Sequence, residues 1–521
     1  MTSRGDPVVT ERFTRAGWRE WAGLALLALP TMLLGLDLTA LYLVVPSLTA
    51  DLTPTATETL WIMDVYGFLI AGFLITMGTL GDRIGRRRLL MIGVAAFGVA
   101  SMFAAFAPGA PALIVARALL GVAGATMMPS TLSLISTMFA DARQRALAIG
   151  IWATMFALGM AAGPVVGGAL VAEFWWGAVF LIAIPIAFLV LAGAPALLPE
   201  SRTRAGRLDL WSVVLSLVAM LTVIYAVKHA AAEGVDARSL VAAVVGAGSA
   251  IAFVRRQLRL PQPLLDMGLF TSRAFSAALT VLLIGLVGFG GMMYLVTQYL
   301  QLVAELSPGT AGLWMGPPAL AMLIGAIGAP LLAGRISPGV IMSVTLAVSV
   351  SGYVLLAFAG TDSTFSVVGG FAFAYLGLGV IAALGTDIVV GAAPAEKSGS
   401  AAALSETVQE LGIAAGVALL GSLTTAIYRH TITPPTGLPT SVAEGYDDSL
   451  SGATSVAEQL PEWAVESARA AFTDGLNIAA ITAGVVTAAA SLLCFTTLRH
   501  VPPLGDEDPR PADSLDSLGR R

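Results

Sequence analysis

The 521-residue chain contains a single cysteine, Cys494, so no disulfide can close within it and thiol pairing says nothing about its compartment. Charge is also scarce. Asp, Glu, Lys and Arg make up 12% of the residues, about half the roughly 25% of a soluble domain. The three histidines, His229, His430 and His500, are scattered and offer no metal-ligand spacing. The pattern G-x-x-x-x-G-K-[ST] is absent, which excludes nucleotide-driven work through that phosphate loop. No nucleophile–base arrangement stands out among the serines. Neither an enzyme nor a bound cofactor is expected, and no nucleic-acid partner.

What is abundant is apolar sequence, 57% of the chain. Runs of about 20 apolar residues, each long enough to cross a hydrocarbon core of roughly 30 Å, recur from Trp21 to Leu498. The chain is therefore read as an all-α integral membrane protein lodged in a lipid bilayer. Hydropathy divides it into fourteen spans. The first six fall near 21–47, 59–81, 89–107, 111–139, 146–171 and 176–198, and a further pair near 210–228 and 240–254. The last six fall near 275–303, 311–334, 339–360, 365–393, 399–428 and 471–497. The first run is too long for a signal-peptide core and no A-x-A site precedes it, so it is read as a retained span.

Loop charge sets the orientation. Loops after even-numbered spans carry Arg83, Arg86, Arg87, Arg88, Arg143, Arg145, Arg202, Arg204, Arg207, Arg255, Arg256, Arg259, Arg273, Arg335 and Lys397. Loops after odd-numbered spans carry only Lys228, Arg238, Arg429 and Arg469. Lys and Arg accumulate on the cytoplasmic side, so both termini are expected there. Residues 430–467 form a long, acidic outer loop, and the tail after Pro502 is polar enough to be expected disordered.

Four local patterns carry more specific information. Gly78-Thr79-Leu80-Gly81-Asp82-Arg83-Ile84-Gly85-Arg86-Arg87-Arg88 follows the second span. By composition alone it is as readily a basic loop with a capping Asp. In the fifth span Gly159, Gly163 and Gly167 recur every four residues beside Pro164, a small-residue stripe suited to close helix approach with a kink. Leu36-Asp37-Leu38-Thr39 precedes Pro46 in the first span, and Ser405-Glu406-Thr407-Val408-Gln409-Glu410-Leu411-Gly412 lies in the thirteenth. Gly377-Leu378-Gly379 is a lone glycine-rich fragment, read as close packing.

Together these strings resemble the major facilitator superfamily, in its fourteen-helix drug:proton antiporter branch (QacA-like and SmvA-like pumps). The first resembles the turn G-x-L-x-D-r-x-G-r-[kr], and the second the G-x-x-x-G-P-x-x-G-G string of exporters. The third resembles l-D-x-T…l-P, with Val45 where Ala is usual and Tyr42 where a smaller residue or Asn is usual. The resemblance implies two six-helix bundles, residues 21–200 and 261–500, with an inserted helix pair in 201–260, a cytoplasmic segment 1–20 and a cytoplasmic tail 501–521. The outer loop at 430–470 belongs to the second bundle. It also implies a multi-pass protein of the bacterial cytoplasmic (inner) membrane, acting as a monomer. Its energy source would be the proton gradient, and its substrates lipophilic cations exported in exchange for protons. Gating is assigned to Gly78, Asp82, Arg83, Gly85 and Arg86 in the turn, with Asp82 facing the N-terminus of the helix beginning near Gly399. Gly159, Gly163, Pro164 and Gly167 complete the gating set.

Ionisable residues within a bilayer are expensive, about 2.5–3.5 kcal/mol near a helix centre, and are functional by default. Asp37 and Glu410 are the leading candidates for proton and cation binding, with Glu406, Asp64 and Arg117 beside them. Glu410 falls about 16 Å into its helix, close to midplane, with Glu406 one turn nearer the cytoplasm on the same face. Two such carboxylates in one dry site repel, so one should hold a proton near working pH. A structural reading competes: a buried pair with Arg117, or for Asp64 simple exposure near the outer surface. Asp387 reads as capping. Tyr66, Trp152, Phe156, Tyr294, Trp314 and Met315, with Met127 and Met128, would suit a cavity for lipophilic cations. Singly, each is as readily packing or lipid-facing. Export of one metabolite, lipid or siderophore by the same fold, or a non-transporting membrane sensor, are the alternatives.

Overall fold

A computed structural model describes residues 16–503, except 140, 203–208, 261–262, 264, 266, 393–397 and 437. Arg4, Arg12, Arg15, Arg204, Arg207, Lys397 and the tail from 504 therefore lie outside the described residues. Among the described residues there is no strand. The spans are α1 Trp18–Leu52, α2 Ala56–Ile84, α3 Arg86–Ala105, α4 Ala110–Met138, α5 Ala142–Glu173, α6 Ala178–Leu197 and α7 Leu210–Glu233. They continue as α8 Ala237–Gln257, α9 Arg273–Gln298, α10 Pro308–Ala333, α11 Pro338–Ala357, α12 Thr364–Gly391, α13 Ser398–Thr431 and α14 Glu462–Leu493. Thirteen of these helices are long and apolar enough to cross a membrane. The exception is α7, whose apolar stretch Leu210–Ala226 is shorter.

Local chemistry explains many of the boundaries. Helix α2 starts at a reciprocal cap. The Thr55 hydroxyl accepts from the Glu58 amide at 3.2 Å, and the Glu58 carboxylate accepts from the Thr55 amide at 3.0 Å. Asp141, Asp236 and Ser272 cap α5, α8 and α9 through side-chain oxygens. Ser307 caps α10, with Pro308 in the first turn where its missing N–H leaves no bond unmade. Helix α10 breaks at Met315, ahead of Pro317 and Pro318, and α9 ends in a π-helical turn, Tyr299–Val303.

Packing repeats with an offset of eight helices. Helix α1 packs on α5 as α9 packs on α13. The pairs α2–α4 and α3–α4 recur as α10–α12 and α11–α12, and α3–α6 recurs as α11–α14. Between the two sets the principal contacts are α2 with α13 and α5 with α10, which exchange under the same offset. Helix α7 lies across the α2–α13 seam, where Ile224 packs with Phe68, Ala414 and Ala418. Helix α8 packs on α7.

The outer segment departs from the expected loop. Helix α13 runs to Thr431, two short helices follow at Thr440–Asp448 and Leu450–Ser455, and α14 begins at Glu462, nine residues before the expected 471. Val442, Tyr446, Leu450 and Ala453 are buried against the bundle. The Tyr428 hydroxyl donates to the Tyr446 carbonyl at 2.9 Å, and the Tyr446 hydroxyl to the Ala464 carbonyl at 3.1 Å. A few well-spaced apolar anchors hold this segment, too few to register in a membrane-length hydropathy window.

Candidate functional site

The glycine stripe of α5 meets α1 face to face. A Cβ at Gly159 would stand 2.1 Å from the Met32 carbonyl oxygen, at Gly163 2.0 Å from Thr39 Oγ1, and at Gly167 2.6 Å from the Ala40 carbonyl oxygen. The Thr39 hydroxyl bonds the Met160 carbonyl at 2.8 Å across the same contact. Pro164 lies inside α5 between these positions. Next to the stripe, Gly168 lets α5 meet α10, where a Cβ would stand 2.3 Å from the Pro308 carbonyl oxygen. The expected close packing at Gly379 is present too: a Cβ there would stand 2.1 Å from the Met322 carbonyl oxygen of α10.

These contacts close one end of the molecule. There the Gln301 amide nitrogen donates to the Leu43 carbonyl at 3.0 Å, tying the end of α9 to α1. Asp448 accepts from the Ala56 amide at 2.7 Å and pairs with Arg429 at 2.5 Å, so one carboxylate touches both α2 and α13. Toward the opposite end, α4, α5, α10, α12 and α13 separate around a cavity of about 460 Å³. It extends from the level of Met160 and Glu410 to Ser136, Ile149 and Val390, near the ends of α4, α5 and α12 that face the side bearing the termini.

Glu406 and Glu410 both line this cavity, with Trp152, Phe156 and Met128. Glu410 is 4% exposed, and its Oε2 has no hydrogen-bond partner among the described residues. No Lys or Arg is among the described lining residues. Trp152 is fixed by its indole N–H, which donates to Thr131 at 3.0 Å.

Asp37 and Arg117 lie elsewhere. Arg117 Nη1 donates to Asp37 Oδ2 at 2.8 Å with both side chains buried, while Arg117 Nε donates to the Ile62 carbonyl at 3.1 Å. The guanidinium sits 4.3 Å from the Tyr66 ring centroid. Tyr66 is thus the floor of an ion pair and does not line the large cavity. Asp64 is fully buried on the same helix, not exposed near the outer surface. Tyr294 lines a separate cavity of about 40 Å³ beneath the outer segment, with Thr59, Gln298 and Thr424. Trp314 packs edge-on against Phe365 at 4.9 Å, and Met315 is buried at the break in α10. Met127 is buried in the hydrophobic core. Of the expected cavity side chains, Trp152, Phe156 and Met128 are in place. Asp387 is exposed near the end of α12. Residues that the sequence reading did not single out, Thr386 and Gln409, also line the cavity.

In the turn between α2 and α3, Arg86 pairs with Asp82 at 2.5 Å and reaches the Pro129 carbonyl at 3.4 Å. Gly85 holds φ +110°, and a Cβ there would stand 2.3 Å from Glu200 Oε1, so only glycine fits both the conformation and the space. Glu200 in turn accepts from the Arg87 amide at 3.2 Å, at the start of α3. Gly78 faces Pro129 of α4, and Arg83 is exposed. The helix end expected to face Asp82, near Gly399, adjoins residues 393–397, and those lie outside the described residues.

A sequence profile of the Major Facilitator Superfamily matches residues 27–417. The multidrug efflux pump LfrA of Mycolicibacterium smegmatis is 43% identical over 94% of this chain and 99% of its own. The methyl viologen resistance protein SmvA of Salmonella typhimurium is 32% identical over 90% and 96%. The tetracenomycin C resistance and export protein of Streptomyces glaucescens is 30% identical over 93% of each. Among solved structures, a bacterial homolog of the human lysosomal transporter Spinster, inward-facing and unoccupied, superposes with a TM-score of 0.64. It covers 93% of this chain and 98% of its own at 16% identity, a likeness of fold alone. With a matching profile over most of its length, relatives aligned nearly end to end and the same helical architecture, this multi-pass membrane protein belongs to the Major Facilitator Superfamily.

Proposed function

We propose that the protein exports lipophilic, chiefly cationic compounds across the bacterial cytoplasmic membrane in exchange for protons, by alternating access between its two bundles. The observation that carries this reading is the large cavity: two carboxylates one helical turn apart, aromatic and Met side chains around them, and no described lining cation. A carboxylate there can bind a proton or a cationic substrate but not readily both, and that competition is the least chemistry that exchange requires. Inward proton movement is favoured by about 2.3 kcal/mol per charge per 100 mV, which supplies the driving force. Trp152 and Phe156 add cation–π contacts worth about 0.5–2 kcal/mol each where water is excluded.

Asp37 enters through Arg117. A proton on Asp37 cancels the charge pairing that joins α1 to α4, which loosens one bundle internally. The cavity faces the cytoplasm in this reading, since the Lys- and Arg-rich loops share its side with both termini. The working unit is a monomer, because one chain supplies both halves of the cavity. The name of LfrA, a multidrug efflux pump, supports export of more than one compound.

The test is proton release in proteoliposomes holding an imposed pH gradient. Addition of ethidium or a quaternary ammonium compound should collapse the gradient with wild type, and not with Asp37→Asn or Glu410→Gln. No collapse with any lipophilic cation would overturn the multidrug reading. A second reading, export of one natural product, is favoured by relatives named for tetracenomycin C export and actinorhodin transport. Transport of several chemically unrelated cations would exclude it.

A further inference from the structure

Besides its carboxylates, the cavity is lined by a side-chain amide held by two hydroxyls. Gln409 lies on α13 between Glu406 and Glu410 in sequence, and lines the cavity with them. Its Nε2 donates to Thr386 Oγ1 of α12 and to Ser405 Oγ one turn back on α13, each at 3.4 Å. The two hydroxyls bond each other at 3.2 Å. That mutual bond uses one hydroxyl proton, so the pair has two acceptor sites for the amide N–H groups but only one proton left to offer a carbonyl. The amide therefore makes more bonds with its nitrogen toward the hydroxyls. With the nitrogen bonded to the two hydroxyls, Oε1 is the end of the amide left to a ligand, in a cavity whose other lining is mostly apolar.

From this we infer that Gln409 is a specificity-determining residue. Its Oε1 accepts a hydrogen bond from cations that carry N–H groups, such as arylamines, amidines and guanidines. Such cations are favoured over counterparts whose nitrogens are fully alkylated. The assignment rests on the efflux reading above. Glu406 and Glu410 supply attraction to any cation and cannot tell the two kinds apart. The locked amide can, because a carbonyl oxygen in an apolar cavity gains a partner from one and none from the other. Thr386 and Ser405 act as positioning residues that keep the oxygen, and not the nitrogen, available.

The 3,6-diamino-10-methylacridinium and 3,6-bis(dimethylamino)-10-methylacridinium cations make a matched pair of probes: the same ring with no ring N–H, with exocyclic amino groups in one and dimethylamino groups in the other. Transport KM for each is measured in energised inverted membrane vesicles bearing the full chain. Gln409→Leu should raise the KM ratio of the diamino dye to the bis(dimethylamino) dye about five-fold, the loss expected for one hydrogen bond. The ratio cancels any common effect of the substitution on expression or turnover. Thr386→Val with Ser405→Ala, which frees the amide to turn, should move the ratio the same way by less. An unchanged ratio in Gln409→Leu overturns the assignment. If that variant does not accumulate, an unchanged ratio in the double variant does so. Wild type that carries neither dye overturns the efflux reading, and this assignment with it.

Discussion

Arg117 and Asp37 form a buried ion pair, Nη1 to Oδ2 at 2.8 Å, that joins α4 to α1 while Arg117 also holds the Ile62 carbonyl of α2. Three helices of the first bundle thus meet at one guanidinium. Removing a single partner leaves an uncompensated buried charge, which typically destabilises by about 3–5 kcal/mol. Asp37→Asn should therefore lower the thermal unfolding temperature in detergent as well as abolish proton-coupled transport. Asp37→Leu combined with Arg117→Met should recover most of the stability and none of the transport. Recovery of transport by that double variant would make the pair a structural strut only.

Glu410 contrasts with it. Its Oε2 is buried with no hydrogen-bond partner among the described residues, so the charge contributes little to holding the fold together. Glu410→Gln keeps the volume and removes the charge. The expected outcome is an unfolding temperature equal to or above that of wild type, with drug-induced proton release lost. A fall of several degrees would mean that Glu410 is bonded in the working state and serves the structure.

Much of this was legible in residue spacing. Gly159, Gly163 and Gly167 announced a close helix contact, and the α1 backbone lies where their side chains would be. Glu406 and Glu410 announced a shared face by their four-residue separation, and both line the cavity. Aromatic side chains were less informative. Tyr66 and Trp314 could have faced a cavity, an ion or a neighbouring ring, and only packing decides that. Gln409 carries no periodic or charge signal at all. Its importance depends on Thr386, a residue of another helix.

The stripe itself gives a steric prediction. Gly163→Ala would place a methyl group 2.0 Å from Thr39 Oγ1 and 2.9 Å from the Ala40 amide nitrogen, where backbone must move. Overpacking of this kind costs about 1–3 kcal/mol. Gly150→Ala on the same helix meets nothing within 4 Å and serves as the control. Thermal unfolding of the two purified variants should show a clear loss for Gly163→Ala and none for Gly150→Ala. Equal stabilities would mean that α1 and α5 separate readily.

The inserted pair is tied at its polar end by Asp209, just ahead of α7, and Arg256, near the end of α8. Arg256 Nε and Nη2 donate to the two carboxylate oxygens at 2.7 and 2.8 Å. Hydrogen bonds from Arg256, aided by Ser212, hold the Asp209 carboxyl down at about 2, against an ordinary 3.8. Because the folded value is depressed, the stabilisation is fully present above about pH 4 and is lost as the pH falls toward 2. The Arg256 side chain is exposed, so solvent screening keeps the contribution small. Asp209→Asn should accordingly increase proteolytic cleavage or hydrogen exchange in α7–α8 at neutral pH and leave the rest of the molecule protected. Exchange in the pair that matches wild type at pH 7 would show that packing of α7 on α2 and α13 holds it without the tie.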